Sequence, residues 1–225
     1  RERQFAATAA HQLRTPLAGL QLGLARAAKA TDIEEARVAI GELSHSTRRT
    51  ARLVQQLLAL GRLDPEAIGD LEFRDHDLVT LAQDVGAAHA DHALAKGIDL
   101  ELLAAPRPVL TQMISDLIAE ALSNLIDNAI RYTPAGGSVV IEVLADPVLV
   151  RVSDSGPGID EDERASVFER FVRGRSAAGE GSGLGLAIVL DIATLHHATV
   201  SLAESPWGGV SVQLAFAIPA VKGKS

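Results

Sequence analysis

The chain of 225 residues contains no cysteine, which excludes disulfides, thiolate metal sites and iron–sulfur clusters and is compatible with a reducing compartment. It has no run approaching the ~18 consecutive apolar residues of a membrane-spanning helix. It also lacks any block of Lys and Arg, and its 21 basic against 29 acidic side chains give a formal charge of -8. That balance disfavours a nucleic-acid surface, which relies on clustered cations. Aromatics are few: five Phe, one Tyr and one Trp. With 47% apolar and 22% charged residues, the composition excludes a disordered tail or a fibrous repeat. Neither an internal repeat nor a low-complexity tract occurs. The length suits one large or two modest domains. Because the first residue is Arg1 and not Met, the chain is expected to be a piece of a longer one.

The first sixty residues read as a helical hairpin. Ala10, Leu13, Leu17, Leu20, Leu24 and Ala27 recur at spacings of four and three, the seam of a helix in a bundle. Ala36, Ile40, Leu43, Thr47, Thr50, Val54 and Leu57 form a second seam, and Thr31 with Glu34 gives a capping-box pattern. A short break makes the helices antiparallel, and two helices alone bury too little surface. Dimerisation into a four-helix bundle is therefore expected. Leu63-Asp64-Pro65 ends this unit, residues 65–70 read as a linker, and residues 71–225 as a second domain.

The second domain mixes helices and strands. Asp77 to Lys96 and Ser115 to Arg131 read as helices, the latter with Ser115 as its cap, and Ile98 to Leu103 as a strand. Ser138–Leu144 and Val148–Ser153 flank the turn-forming Ala145-Asp146-Pro147. A Gly-rich segment leads to a helix from about Leu186 to His196, followed by strands near Val200 and Val210. Strands in one layer and helices in the other make an α+β sandwich.

Four places concentrate chemistry. His11 lies one residue past a seam position, on the solvent side of its helix. Pro16, five residues on, removes a helical N–H and predicts a kink that costs about 3 kcal/mol in a host peptide. Taken alone, a surface histidine is most often just solvated. Asn124, Asn128 and Arg131 share one helical face, next to Tyr132. Carboxamide oxygens are hard ligands acceptable to Mg²⁺ and a guanidinium can fork onto phosphate, although the segment also reads as a polar outer face. Asp154-Ser-Gly156-Pro-Gly158 ends a strand in a turn. Its carboxylate can accept from an exocyclic amine such as that of adenine, and its glycines permit close approach. As a plain β-turn the same residues are equally at home. Gly179, Gly181, Gly183 and Gly185, with Leu184 among them, lead into a helix, a phosphate cradle or else a mobile linker. This pattern lacks the Walker Gly-Lys-Ser and no strand feeds it as in a dinucleotide fingerprint. Phe168 and Phe171 between these places suit a pin for a lid.

In that order, His11-Gln-Leu-Arg-Thr-Pro-Leu17, Asn124 to Pro134, Asp154 to Gly158, Phe168 to Phe171 and Gly181 to Gly185 resemble the H, N, G1, F and G2 boxes of sensor histidine kinases. Essentially the whole chain is covered. The hairpin is similar to their dimerisation and phosphotransfer domain, the sandwich to the ATP-binding domain shared with gyrase-type ATPases and Hsp90 chaperones. Gln12 is similar to the variant in tricarboxylate-sensor kinases. The resemblance implies that His11 takes the γ-phosphate of ATP through a ring nitrogen and passes it to an aspartate of a response regulator receiver domain. An unperturbed imidazole is mostly uncharged at neutral pH, so its lone pair is available. It implies Mg²⁺ on Asn128, with Asn124 and Arg131 assisting. Asp154 would take the adenine amine, Gly183 and Gly185 would line the lid, and Tyr132, Gly156, Gly158, Gly181 and Leu184 belong to the same nucleotide-binding boxes. Thr15 matches the position that orients water for regulator dephosphorylation. By the same resemblance the chain is the cytoplasmic portion of a bacterial inner-membrane sensor, anchored through segments it does not contain.

Two departures stand out. The family usually has Glu or Asp where Gln12 stands; an amide accepts a hydrogen bond but cannot take a proton. General-base catalysis contributes ~10²–10⁴-fold, so slow autophosphorylation is expected. Asn124 occupies the helix position of the water-activating glutamate of gyrase-type ATPases, which disfavours steady hydrolysis and hence a chaperone or topoisomerase ATPase. A non-phosphorylating ATP-binding scaffold is the alternative, supported by Gln12 alone.

Overall fold

The computed structural model describes residues 17–62, 72–172 and 182–217. The chain divides into two compact units, Arg1–Asp64 and Pro65–Ser225. His11, Gln12, Thr15, the kink expected at Pro16, the segment 65–70, Gly179 and Gly181 lie outside the described residues.

In the first unit, α1 covers residues 17–29 and α2 covers Ile33–Arg62. They meet closely because α1 has glycine where they touch. A Cβ at Gly19 would stand 3.0 Å from Ser46 Oγ, and one at Gly23 would stand 2.9 Å from Leu43 Cγ. Arg26 bridges to Glu42 at 2.9 Å, an exposed pair of small worth. A single copy covers part of the expected seams. Ala36, Ala39, Leu43, Ser46 and Thr50 carry the lower exposure on α2, whereas Ile40 (56%) and Val54 (41%), like Leu17 and Leu24 on α1, stay exposed. The apolar residues are more numerous than one hairpin interface can cover. The expected Thr31/Glu34 capping box is displaced by one residue. Asp32 caps α2, accepting from the Glu35 N–H at 2.8 Å, while Glu35 Oε2 accepts from the Thr31 N–H at 3.0 Å.

The second unit is a helix layer on a sheet. Its elements are β1 (Arg74–Asp77), α3 (Leu78–Lys96), β2 (Asp99–Ala104), β3 (Leu110–Met113), α4 (Ser115–Tyr132), β4 (Ser138–Ala145), β5 (Val148–Asp154), a 3₁₀ turn (Ser166–Phe168), α5 (Gly185–Leu195), β6 (Thr199–Glu204) and β7 (Val210–Ala215). The five-stranded sheet runs β2-β4-β5-β7-β6, with β2 parallel to β4 and the other pairs antiparallel. Strands β1 and β3, which the sequence pattern did not suggest, form a separate antiparallel ribbon.

The period-two alternation of β4 turns Val139, Ile141 and Val143 to the helix layer, each fully buried, and α4 answers with Ile118, Leu122, Leu125, Ile126 and Ile130. Such a core excludes water from one side of α4 and leaves the other for ligands. Ser115 does not cap α4: Ile114 holds the N-cap position without a side-chain bond. The Ile114 N–H is instead taken by Nε2 of buried His196, 3.0 Å away. At the other end Lys96 Nζ donates to the carbonyls of Ile130 and Arg131 at 2.7 and 2.6 Å, satisfying groups the helix end leaves open. Burial, and then Arg131 nearby, lowers the Lys96 pKa.

Candidate functional site

Helix α4 is apolar on the face that packs on the sheet, and its half-buried opposite side carries Asn124 and Asn128. From Asn124 to Tyr132 it extends by about 12 Å at 1.5 Å per residue. Asn124 Nδ2 donates to the Glu120 carbonyl at 2.9 Å. Opposite, α5 begins at Gly185 with no side-chain cap. A Cβ at Gly185 would lie 3.3 Å from both Asn124 Oδ1 and Asn128 Nδ2. The two carboxamides and the N-terminal, dipole-positive end of an eleven-residue helix therefore face one another, an arrangement suited to anionic oxygens.

The approach to α5 is held by a local lock. Gly183 has φ 68°, a conformation that costs little only for glycine. Its carbonyl accepts from the Phe171 N–H at 2.7 Å, and a Cβ there would press on Phe171 and Val172 backbone. Phe171 itself has φ 67°. Leu184 is fully buried, and its N–H donates to Ser182 Oγ at 3.2 Å. On α5, Asp191 pairs with Arg170 at 2.8 Å. Residues of the F and G2 boxes thus bond directly where both are described.

At the far end of α4, β5 delivers Asp154 opposite Val139 of β4. Asp154 is 8% exposed, and one of its oxygens, Oδ1, accepts from the Gly156 N–H at 2.8 Å and the Val210 N–H at 3.2 Å. Burial raises its pKa above the usual carboxylate value, the two N–H donors opposing. Gly156 packs on the end of α4, where a Cβ would stand 3.0 Å from the Tyr132 carbonyl oxygen. Gly158 takes φ 79°. Arg131 and Tyr132 are half-buried, and Thr133, next in line, is fully buried with Oγ1 lacking a partner among the described residues.

The structure brings Gly185, which follows Gly183 and Leu184, against Asn124 and Asn128 along the C-terminal half of α4, and gathers Asp154, Gly156, Gly158 and Tyr132 about the C-terminal end of that helix. His11, Gln12, Thr15 and Gly181 are outside the described residues. Sequence reasoning missed Gly209 and Val210, which reach Asp154 from another strand. A Gly-Gly pair offers at most a turn signal, and nothing in a linear pattern marks a partner 56 residues away.

Among the described residues no helix is long and apolar enough to cross a membrane. Residues 1–66 match the His Kinase A phospho-acceptor domain, and residues 113–220 the ATPase domain of histidine kinases, DNA gyrase B and Hsp90. The second match makes the C-terminal unit a nucleotide-using module. The sensor protein kinase PmrB of Pseudomonas aeruginosa is 39% identical over 218 residues, covering 95% of this chain and 45% of the relative. The sensor protein QseC of Escherichia coli is 34% identical, covering 96% of this chain and 48% of the relative. The chain thus spans about half the length of the curated relatives it matches. The solved structure of the Acinetobacter baumannii histidine kinase AdeS superimposes with a TM-score of 0.70 at 25% identity, over 93% of this chain and 98% of that one. Order of boxes, domain matches, relatives and fold agree, and the chain belongs to the sensor histidine kinases of two-component systems.

Proposed function

We propose that this chain autophosphorylates His11 from ATP and transfers the phosphoryl group to an aspartate of a response regulator receiver domain. A ring nitrogen of His11 attacks the γ-phosphorus, the bond from that phosphorus to the β,γ-bridging oxygen breaks, ADP leaves, and the imidazole N–H proton is released to solvent. Gln12 cannot accept that proton. Positioning and charge stabilisation do most of the work in such transfers. The observation that carries the reading is the close approach of Gly185, at the start of α5, to Asn124 and Asn128 of α4, where a Cβ at 185 would stand 3.3 Å from both carboxamides. At the C-terminal end of α4 the Asp154 carboxylate suits an adenine amine, with Gly156 and Gly158 beside it and Arg131 and Tyr132 on the helix between.

The donor set fits Mg²⁺. Carboxamide oxygens are hard, neutral ligands, and Mg²⁺ prefers to keep waters and phosphate oxygens. Among the described residues no group of three acidic or histidine side chains is poised to hold a metal alone. Asn128 would hold the ion together with the nucleotide, and Asn124 would support it. When bound, the ion supplies neutralisation of charge on the phosphate oxygens.

A homodimer completes the hairpin under this reading. Leu17 (48%), Leu24 (61%), Ile40 (56%) and Val54 (41%) are exposed in a single copy, a stripe that a second hairpin covers in a four-helix bundle. We further propose the domain division 1–64, 65–70 and 71–225. The portion works on the cytoplasmic side of a bacterial inner membrane, joined to a sensor. Thr15 serves removal of phosphate from the regulator.

The test is incubation of the full chain with Mg²⁺ and ATP labelled in the γ-phosphate. Acid-labile, alkali-stable label that disappears in His11→Ala and moves to a purified receiver domain is expected; nucleotide binding with no label would leave the scaffold, which Gln12 favours. In the same assay Gln12→Glu should raise the rate, and an unchanged rate would remove any base role from that position.

A further inference from the structure

The hairpin between β6 and β7 closes on Asp154. Its turn is tied by Ser205 N–H to the Gly209 carbonyl at 2.9 Å, Gly208 N–H to the Ser205 carbonyl at 3.0 Å, and Trp207 N–H to Ser205 Oγ at 3.2 Å. Ser205 is buried. The hairpin lies against the turn after β5: a Cβ at Gly158 would be 3.6 Å from the Gly208 carbonyl oxygen and 3.9 Å from that of Gly209. Gly209 has no room at all. A Cβ there would overlap Asp154 Oδ1 and the Asp154 carbonyl oxygen, and would come 2.6 Å from the Gly156 nitrogen. The next residue, Val210, gives its N–H to Asp154 Oδ1, the same oxygen that Gly156 already holds. Both backbone donors therefore converge on one oxygen. Oδ2 receives none from the described residues.

A carboxylate on a short side chain has two soft torsions, and two N–H groups, one from the turn after β5 and one from the start of β7, fix both. From this we infer that Gly209 is a positioning residue for base recognition. It lets the β6–β7 hairpin seat directly on Asp154, so that Oδ1 is saturated and Oδ2 is the acceptor presented to the 6-amino group of a purine. The inference rests on the nucleotide-binding reading of this site. A 6-oxopurine would set a carbonyl against that oxygen, and a purine with no 6-substituent would leave it unpaired. Burial, which makes an unpaired carboxylate oxygen costly, sharpens the choice.

The experiment compares dissociation constants of ATP and purine riboside triphosphate, which lacks only the 6-amino group, for the full chain with Mg²⁺. A hydrogen bond to a charged group corresponds to a preference for ATP of about tenfold to a hundredfold. Gly209→Ala should bring the ratio toward one by weakening ATP selectively. Gly208→Ala is the control: its Cβ meets nothing within 4 Å, yet its φ of 89° strains the turn, so it should shift both nucleotides together and keep the ratio. A Gly209→Ala chain that keeps the wild-type ratio overturns the inference. So does a wild-type chain that binds both nucleotides equally, which leaves the nucleotide-binding reading standing; a wild-type chain that binds neither overturns both. Should Gly209→Ala not fold, hydrogen exchange of the wild type decides. ADP should slow the Gly156 and Val210 amides more than purine riboside diphosphate does, and equal slowing overturns the inference.

Discussion

The two units use the same apolar residue types to different ends. In the C-terminal unit the large aliphatics of α4, and of β4 apart from Leu144, are almost entirely withdrawn from water, whereas among the described apolar side chains of the hairpin only Ala39 reaches comparable burial while Leu22, Leu24, Val38 and Ile40 remain more than half exposed. A two-layer unit of 161 residues can close a core around itself; a pair of helices has no inside. The difference separates a module that closes its own core from one whose exposed apolar stripe, under the proposed reading, a second copy would cover.

The largest expected effect tests that contrast at its centre. Ile126 is fully buried, and Ile126→Ala should cost about 2–5 kcal/mol of the C-terminal unit's stability, independent of protein concentration. Ile40→Ala, at a position 56% exposed in one copy, should cost that copy little and instead lower a hairpin melting transition that rises with protein concentration. Differential scanning calorimetry of the full chain over a wide concentration range reads both. A hairpin transition that does not move with concentration would break the comparison, because the exposed stripe would then need no partner.

A smaller effect comes from two helix caps built from aspartate. Asp77 accepts from Val79 N–H, Thr80 N–H and the Thr80 hydroxyl, and also from Val109 N–H, 32 residues away. Asp32 makes one bond, to the next turn of its own helix. Removing an N-cap costs about 0.5–2 kcal/mol. Asp77→Ala should therefore lie at or above the upper end, because it also strands the Val109 amide, and Asp32→Ala at the lower end, confined to the hairpin. Equal costs in thermal melts of the two variants would show that the crossing bond to Val109 contributes nothing.

The same contrast explains what was legible in the sequence. Helix α4 announces itself through periodicity because its buried residues fall on one face, and strands β4 and β5 through short β-branched runs on either side of a turn signal, buried on both faces over residues 139–141 and 152–154; in each case the pattern is local. Strands β1 and β3 do not. Their four-residue segments Arg74–Asp77 and Leu110–Met113 are too short to alternate visibly, and β1 is largely polar. In the hairpin, Ala36, Leu43 and Thr50 of the expected seam lie among the less exposed residues of α2 while Ile40 and Val54 stay exposed in one copy, because spacing alone does not say which neighbour each apolar stripe meets. In the candidate site the same rule holds. Asn124 and Asn128 share a helix face by arithmetic and Gly185 opens a helix, so both could be named, while the approach of Gly209 to Asp154 depends on how two strands pair and leaves no local trace. Capping shows the limit most clearly. Ser115 has the right chemistry, yet the backbone ahead of it is served by His196 from the end of α5, so the expected local cap is replaced by a distant one.

That replacement yields the finest test of the difference between the units. His196 Nδ1 donates to the Ile192 carbonyl at 2.7 Å and Nε2 accepts from the Ile114 N–H at 3.0 Å, which requires a neutral ring. Burial lowers its pKa below the ordinary value of 6.5, the bond to Ile192 opposing. Above pH 6.5 both folded and unfolded rings are neutral and the contribution is fully present. As pH falls below 6.5 the unfolded chain gains a proton that the folded chain refuses, so stability of the C-terminal unit declines until the folded pKa is passed. In the hairpin, the Glu35 pKa is lowered chiefly by the Thr31 backbone N–H, and its contribution is lost only as pH falls below the ordinary 4.5. Between pH 6.5 and 5 the C-terminal transition should therefore move down while the hairpin transition holds still. His196→Gln keeps an acceptor for Ile114 but takes no proton, and should flatten that part of the profile. A variant whose melting temperature falls with pH as steeply as the parent's would assign the loss to another group and leave His196 as a packing residue alone.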